Sequence, residues 1–345
     1  ELPRVFLHPN WHFPNLDEHR RQHPSSPNYK GPWRLHQPGM VTTGMVKRRG
    51  VIDLGSNSVL LTVTEGSSVL HDEARVVGLG KGLGDGGQFD PDRMRDTLNA
   101  LRDYSAIARD HGLNPESICA IATSASRRAS NADAFYRTVQ AQTGFLFQII
   151  DGEEEAMKSF EGAQSGLTLD DATIATIDLG GGSTEVVIGK GNHINWWESL
   201  EIGSARLTEG FLGKEFITEP SDPSYQAMCS HIQKQALQIP LDQTVRTVIA
   251  MAGTATTLGA LVAGLKEWDP TQLHGRKMSR EALQACIEAF WHTTPEARRS
   301  IASISPKRAD FLLAGALVID AILERLEQDH CLLSVRGLRF GYLSS

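Results

Sequence analysis

From Gly50 onward, short apolar runs alternate with segments of helical spacing. VIDLGSNSVLLTV (51–63) is an apolar run, a tight polar turn and a second apolar run, which predicts two strands in a hairpin. Met94, Leu98, Leu101, Tyr104, Ile107 and Ala108 recur at helical spacing between Pro91 and Gly112, predicting a helix over 91–111. ICAIATSAS (118–126) predicts a buried strand running into a loop, 131–143 a helix, and FLFQII (145–150) a strand. GEEEAMKSFEGAQSG (152–166) follows as a short acidic helix. ATIATIDLGGGSTEVVIG (172–189) then repeats the strand, glycine turn, strand arrangement of 51–63. VIAMAGTATTLGAL (248–261) adds a third strand with a small-residue turn and a helix, and amphipathic helices are expected at 279–292 and 308–328. SVRGLRFGYL lies near the end of the chain.

The internal duplication implies an α/β protein of two lobes, and 345 residues fit two domains of about 150 residues each. Expected boundaries are a Pro/His-rich extension over 1–49, an N-terminal lobe over 50–152 and a C-terminal lobe over 153–345. The last ~20 residues are free to pack back on the N-terminal lobe, since domain termini often lie close together. Residues 1–49 hold seven of the fifteen prolines, five of the twelve histidines (His8, His12, His19, His23, His36) and a net charge of +5. They show no period and are expected to lie outside the folded core. The remainder is acidic, within a chain net of −7, which argues against a nucleic-acid partner. No apolar run reaches the ~18 residues of a membrane span, so no membrane partner is expected. The cysteines (Cys119, Cys229, Cys286, Cys331) are far apart and suit free thiols in a reducing cytoplasm.

A strand ending in Asp-Leu-Gly before a small polar turn suits phosphate recognition, because glycine lets backbone amides approach an anion. The preceding aspartate, Asp53 or Asp178, suits Mg²⁺ or another divalent cation, a hard ion that prefers oxygen. One such turn is equally a plain hairpin, but two matching copies and AGTATT make a phosphate-chain site the better account. VIDLGSNS, ATSASRRASN, GEEEA, TIDLGGGSTEVVIG, IGSARLTE and MAGTATTLGAL, in this order from Val51 to Leu343, resemble the exopolyphosphatase and guanosine pentaphosphate phosphatase family in its short two-domain form. The resemblance implies two ribonuclease-H-like lobes around a central cleft, the fold of actin, sugar kinases and heat-shock chaperone ATPases.

The resemblance also assigns residues. Glu155, preceded by Glu154, matches the catalytic glutamate. Asp178 and Glu185 match the metal-binding acids, and Asp53 joins them as a candidate from its own strand-end position. Asn57, Ser58, Gly180, Gly181, Gly182, Ser183, Thr184, Gly253 and Thr254 match the phosphate-contacting turns, and Arg127 matches an arginine on the phosphate chain. Two positions depart from the family pattern: Met157 stands where arginine is frequent, and Phe340 where an acidic residue is usual. The implied function is release of terminal orthophosphate from inorganic polyphosphate by a water that Glu155 activates. Guanosine pentaphosphate is the alternative substrate, and a homodimer is compatible with the sequence. A non-hydrolytic actin-like ATP-binding or polyphosphate-sensing protein is the alternative of another class. Seven Lys/Arg against three Glu over 276–308, including Arg298, Arg299, Lys307 and Arg308, are consistent with either a path for a long polyanion or an ordinary solvated surface.

Overall fold

A computed structural model describes residues 33–34, 47–83, 87–213, 219–241, 244–301, 304 and 308–344. The five histidines of the extension lie outside these residues. Four described residues of the extension join the sheet: Arg48 and Arg49 open the strand Arg48–Leu54, and β1 (Trp33–Arg34) pairs antiparallel with Val69 and Ser68. The chain divides into two compact units, one of Pro27–Gly166 together with Leu338–Ser345, the other containing Leu167–Gly337. The division falls one helix later than the 152/153 boundary expected from sequence.

The first unit has β1, β2 (Arg48–Leu54), β3 (Ser58–Glu65), β4 (Ser68–Val76), α1 (Pro91–Asp110), β5 (Cys119–Ala122), α2 (Ser124–Arg128), α3 (Ala132–Thr143), β6 (Phe147–Ile149) and α4 (Gly152–Gln164). Its sheet order is β1-β4-β3-β2-β5-β6: β2, β3 and β4 form an antiparallel meander, while β5 and β6 run parallel to β2. Strand alternation separates two faces. Ile52, Leu54, Leu61 and Val63 turn to the large core with Leu101, Tyr104, Phe135 and Val139 from α1 and α3. Asp53, paired with Ile121, turns to the other face. There Ile121 packs with Ile150 and Leu338. Asp90 caps α1 ahead of Pro91, and Gly144 in the left-handed region ends α3, local signals that fix both helices.

The second unit holds β7 (Ile174–Leu179), β8 (Thr184–Lys190), β9 (His193–Leu200), α5 (Ser204–Leu207), α6 (Pro223–Ala236), β10 (Thr247–Met251), α7 (Ala252–Val262), α8 (Pro270–Leu273), β11 (Lys277–Ser279), α9 (Arg280–Trp291), α10 (Pro295–Arg299), α11 (Leu312–Arg325) and β12 (His330–Leu333). Its sheet order is β11-β12-β10-β7-β8-β9. Here β7, β8 and β9 are antiparallel, and β10 and β12 run parallel to β7. The chain then returns to the first unit as α12 (Leu338–Ser344). Each unit therefore repeats one plan: an antiparallel three-strand meander whose first strand also starts a parallel layer of two more. That is the ribonuclease-H-like lobe, present twice, as in the actin and sugar kinase fold.

Candidate active site

The turn between β2 and β3 carries Asn57, which is exposed, and Ser58, which is partly buried. Gly55 N donates to Ser58 O at 2.9 Å and closes the turn. The loop after β4 folds back on it: Val77 N and Gly78 N both donate to Asn57 O, and Gly80 N donates to Ser56 O at 2.7 Å. The glycine-rich 78–83 stretch thus shapes the first turn from behind, while residues 84–86 lie outside the described residues.

Asp53 stands at the end of β2, and burial pushes its carboxyl up to about 7, opposed by Arg339 and reinforced by the Glu155 charge. Glu155 lies in the first turn of α4. Asp151 caps that helix by accepting from Glu154 N at 2.8 Å. Arg127 of α2 donates from Nη1 to Ile150 O at 2.8 Å and to Glu155 Oε2 at 2.9 Å. Two residues expected to do different jobs are therefore an ion pair. Glu154 points elsewhere and accepts from Tyr342 OH at 2.7 Å. Met157 is exposed on α4, and Phe340 is buried on α12.

In the second unit, Asp178 and Glu185 are direct partners across β7 and β8, which puts both carboxylates on one face of the sheet. Ser183 Oγ donates to Glu185 Oε1 at 2.6 Å and Ser199 Oγ to the same oxygen at 2.7 Å, fixing that carboxylate. Gly181 and Gly182 are exposed at the turn that Gly180 N closes on Ser183 O. The start of α5 is laid directly against this turn. Ser204 N donates to Gly180 O, Ala205 N and Arg206 N to Gly181 O, and Arg206 Nε to Gly182 O. A Cβ at Gly203 would overlap the backbone of Gly181 and Gly182, so only glycine permits this approach. Ser204 Oγ also lies 3.3 Å from Thr254 Oγ1, linking the second glycine turn to the third. There Ala252 takes the left-handed conformation (φ 67°) that bends the chain from β10 into α7, and Arg308 Nη1 donates to Gly253 O at 3.2 Å.

Several expectations change. Thr184, expected at the phosphate, is fully buried and donates to Ile202 O, so its hydroxyl ties the turn to the segment after β9. Thr254 is also buried, at 9% exposure, with its hydroxyl against Ser204. Within the basic stretch, three described arginines spend their charge inside the protein. Arg298 is buried over the Phe290 ring and donates to Thr293 O and Phe290 O, while Arg299 pairs with Glu296 and Asp310. Arg280 pairs with Asp320 and Glu324. Lys307 lies outside the described residues. The sequence assigned no role to Ser199, Ser204, Arg206, Arg339 or Tyr342. Ser204 and Arg206 lie inside the IGSARLTE motif, so a segment between two glycine turns was the available signal.

Two repeated lobes, exposed glycine turns and a cross-strand pair of carboxylates fit one class, a phosphoanhydride hydrolase of the actin-like fold. Residues 59–345 match the Ppx/GppA phosphatase family, and the chain belongs to it. It is 32% identical to exopolyphosphatase 2 of Mycobacterium tuberculosis over 81% of this chain and 91% of that protein. The crystal structure of the Aquifex aeolicus Ppx/GppA family member is similar with a TM-score of 0.74, at 29% identity, over 86% of this chain and 96% of that one. An exopolyphosphatase structure from Cytophaga hutchinsonii gives the same TM-score at 25% identity, covering 86% of this chain and 97% of that one.

Proposed function

We propose that this phosphatase removes the terminal phosphate of inorganic polyphosphate, with Glu155 as the general base. The observation that carries the assignment is the Glu155–Arg127 pair at the capped start of α4. Its carboxylate is held by the Arg127 guanidinium, and the helix that carries it starts at the Asp151 cap. In the reaction the oxygen of water bonds the terminal phosphorus, its proton passes to Glu155, and the bridging P–O bond breaks to leave a chain one phosphate shorter. The amides of Gly181, Gly182 and Ser183 bind phosphate oxygens, as do Asn57 and Ser58, and Arg127 reaches the anion from beside Glu155. The exopolyphosphatase name of the Mycobacterium tuberculosis relative supports the polyphosphate substrate.

The donor set fits a hard divalent cation such as Mg²⁺. Asp178 and Glu185 offer only oxygen and share one face of the sheet, and Asp53 is a third acid of the same motif. Mg²⁺ commonly keeps several waters and takes part of its shell from substrate phosphate, so a few carboxylates are enough protein ligands. When bound, the cation neutralises charge on phosphate oxygens.

The test is phosphate release from long polyphosphate, triphosphate, guanosine pentaphosphate and ATP, side by side, for the wild type and Glu155→Gln. Long polyphosphate is expected to be the best substrate, and Glu155→Gln to lose roughly 10²–10⁴-fold in turnover while keeping its thermal unfolding. Preference for guanosine pentaphosphate would replace the substrate. Near-wild-type turnover in the variant would remove Glu155 from the role of base.

A further inference from the structure

Successive residues of a helix point about 100° apart, so the three glutamates that open α4 cannot share one partner. Glu153 is exposed to solvent, Glu155 pairs with Arg127, and Glu154 is tied to Tyr342 of α12. The helix α12 is itself firmly seated within the first unit. Arg339 donates from Nη1 to Asp72 and to Thr62, and Arg49 Nη1 donates to Leu343 O at 3.1 Å. Leu338 packs on Ile121 and Ile150, and Tyr342 packs against the same cluster. A Cβ at Gly341 would overlap the Lys158 carbonyl, so α12 lies backbone to backbone on α4.

We infer that Tyr342 is a positioning residue for the hydrolysis, clamping Glu154 so that the first turn of α4 presents Glu155 in one orientation. This rests on Glu155 as the base. Burial and the Glu154 carboxylate push the Tyr342 phenol far above its ordinary value, so its hydroxyl remains a donor throughout the working pH range. Glu154 is half-buried, and a carboxylate deprived of its donor there must find another. Lys158, one turn further along α4, is the cation nearest in sequence on that face, and it already serves Glu161 at 2.8 Å. Without the phenol, Glu154 turns toward Lys158 and the start of α4 loses its fixed setting. A small displacement of a base costs rate without weakening ground-state binding, so the effect belongs in kcat and not in KM.

The experiment uses the full chain and polyphosphate hydrolysis, with Tyr342→Phe, Glu154→Ala and the double variant. Tyr342→Phe is expected to lower kcat about tenfold with KM within about twofold, and to change kcat by less than about twofold in the Glu154→Ala background. Wild-type kcat, a loss carried by KM, or an undiminished loss in the Glu154→Ala background overturns the inference. Should Tyr342→Phe unfold near the assay temperature, Glu154→Ala, which keeps α12 intact, takes its place: the same kcat loss supports the clamp, and unchanged kcat overturns it. Turnover surviving Glu155→Gln would instead remove the base assignment, while the coupling between Tyr342 and Glu154 stays measurable in the same cycle.

Discussion

Asp53 shows how an acid proposed for the site can work against its own fold. The β2 strand carries an acid on the face that α12 covers, and burial there raises the carboxyl to about 7 from an ordinary 3.8. A group raised in the folded state contributes stability that is complete below its unfolded value and lost as pH rises through the folded one. Asp53→Asn has no such dependence. With chelator present, the melting temperature of Asp53→Asn minus that of the wild type is expected to climb between about pH 4 and pH 7 and to level off above. A difference that stays flat across this window would show that the native carboxyl is not perturbed. The residues that surround Asp53 were not visible beforehand. Arg339 lies close to Phe340, where the departure from the family pattern drew notice, but its tie to Asp72 and Thr62 spans the chain from end to end.

At the scale of elements, the glycine turns were legible because they are punctuation: an aspartate, glycines and a change from strand to strand, all local. Helix α1 was legible for the same reason, with Pro91 and Gly112 bracketing a strong period. The strands β4 and β9 were not predicted. β4 mixes His71, Asp72, Glu73 and Arg75 into its length, and β9 alternates apolar residues with Asn195 and Glu198. Each is defined by its pairing with β3 or β8 and not by its own pattern. The same limit explains Thr184 and Arg298. Their residue types suit an anion, and only tertiary contacts reveal that each spends its polar atoms on backbone carbonyls. The contact between α5 and the second glycine turn is the sharpest test at this scale. Gly203→Ala places a methyl in the backbone of Gly181 and Gly182. It is expected to cost about 1–3 kcal/mol in chemical unfolding and to reduce phosphate release beyond what that loss explains, because the 180–183 amides must move. Full activity in a folded variant would show that the turn tolerates displacement.

For the whole molecule, the duplicated plan leaves each unit with its own sheet and core, yet the first unit is assembled from two stretches of chain. Removing residues 338–345 strips Leu338 and Tyr342 from Ile121 and Ile150 and uncovers α4. That truncation is expected to abolish phosphate release and to add an early, separate step to thermal unfolding, while the 167–337 unit melts as before. A single unchanged transition would mean that α12 contributes little to its unit. The split also sets an order of events in the cell. Roughly 170 residues separate α4 from the helix that covers it, so at about 5–20 residues per second the ribosome delivers that partner roughly 10–30 s later. Throughout that interval the nascent first unit holds its glycine turn, and Glu154 lacks its Tyr342 donor. Activity is therefore expected only once α12 has been made, and a prematurely stopped chain presents the Ile121 and Ile150 face bare to chaperones and proteases.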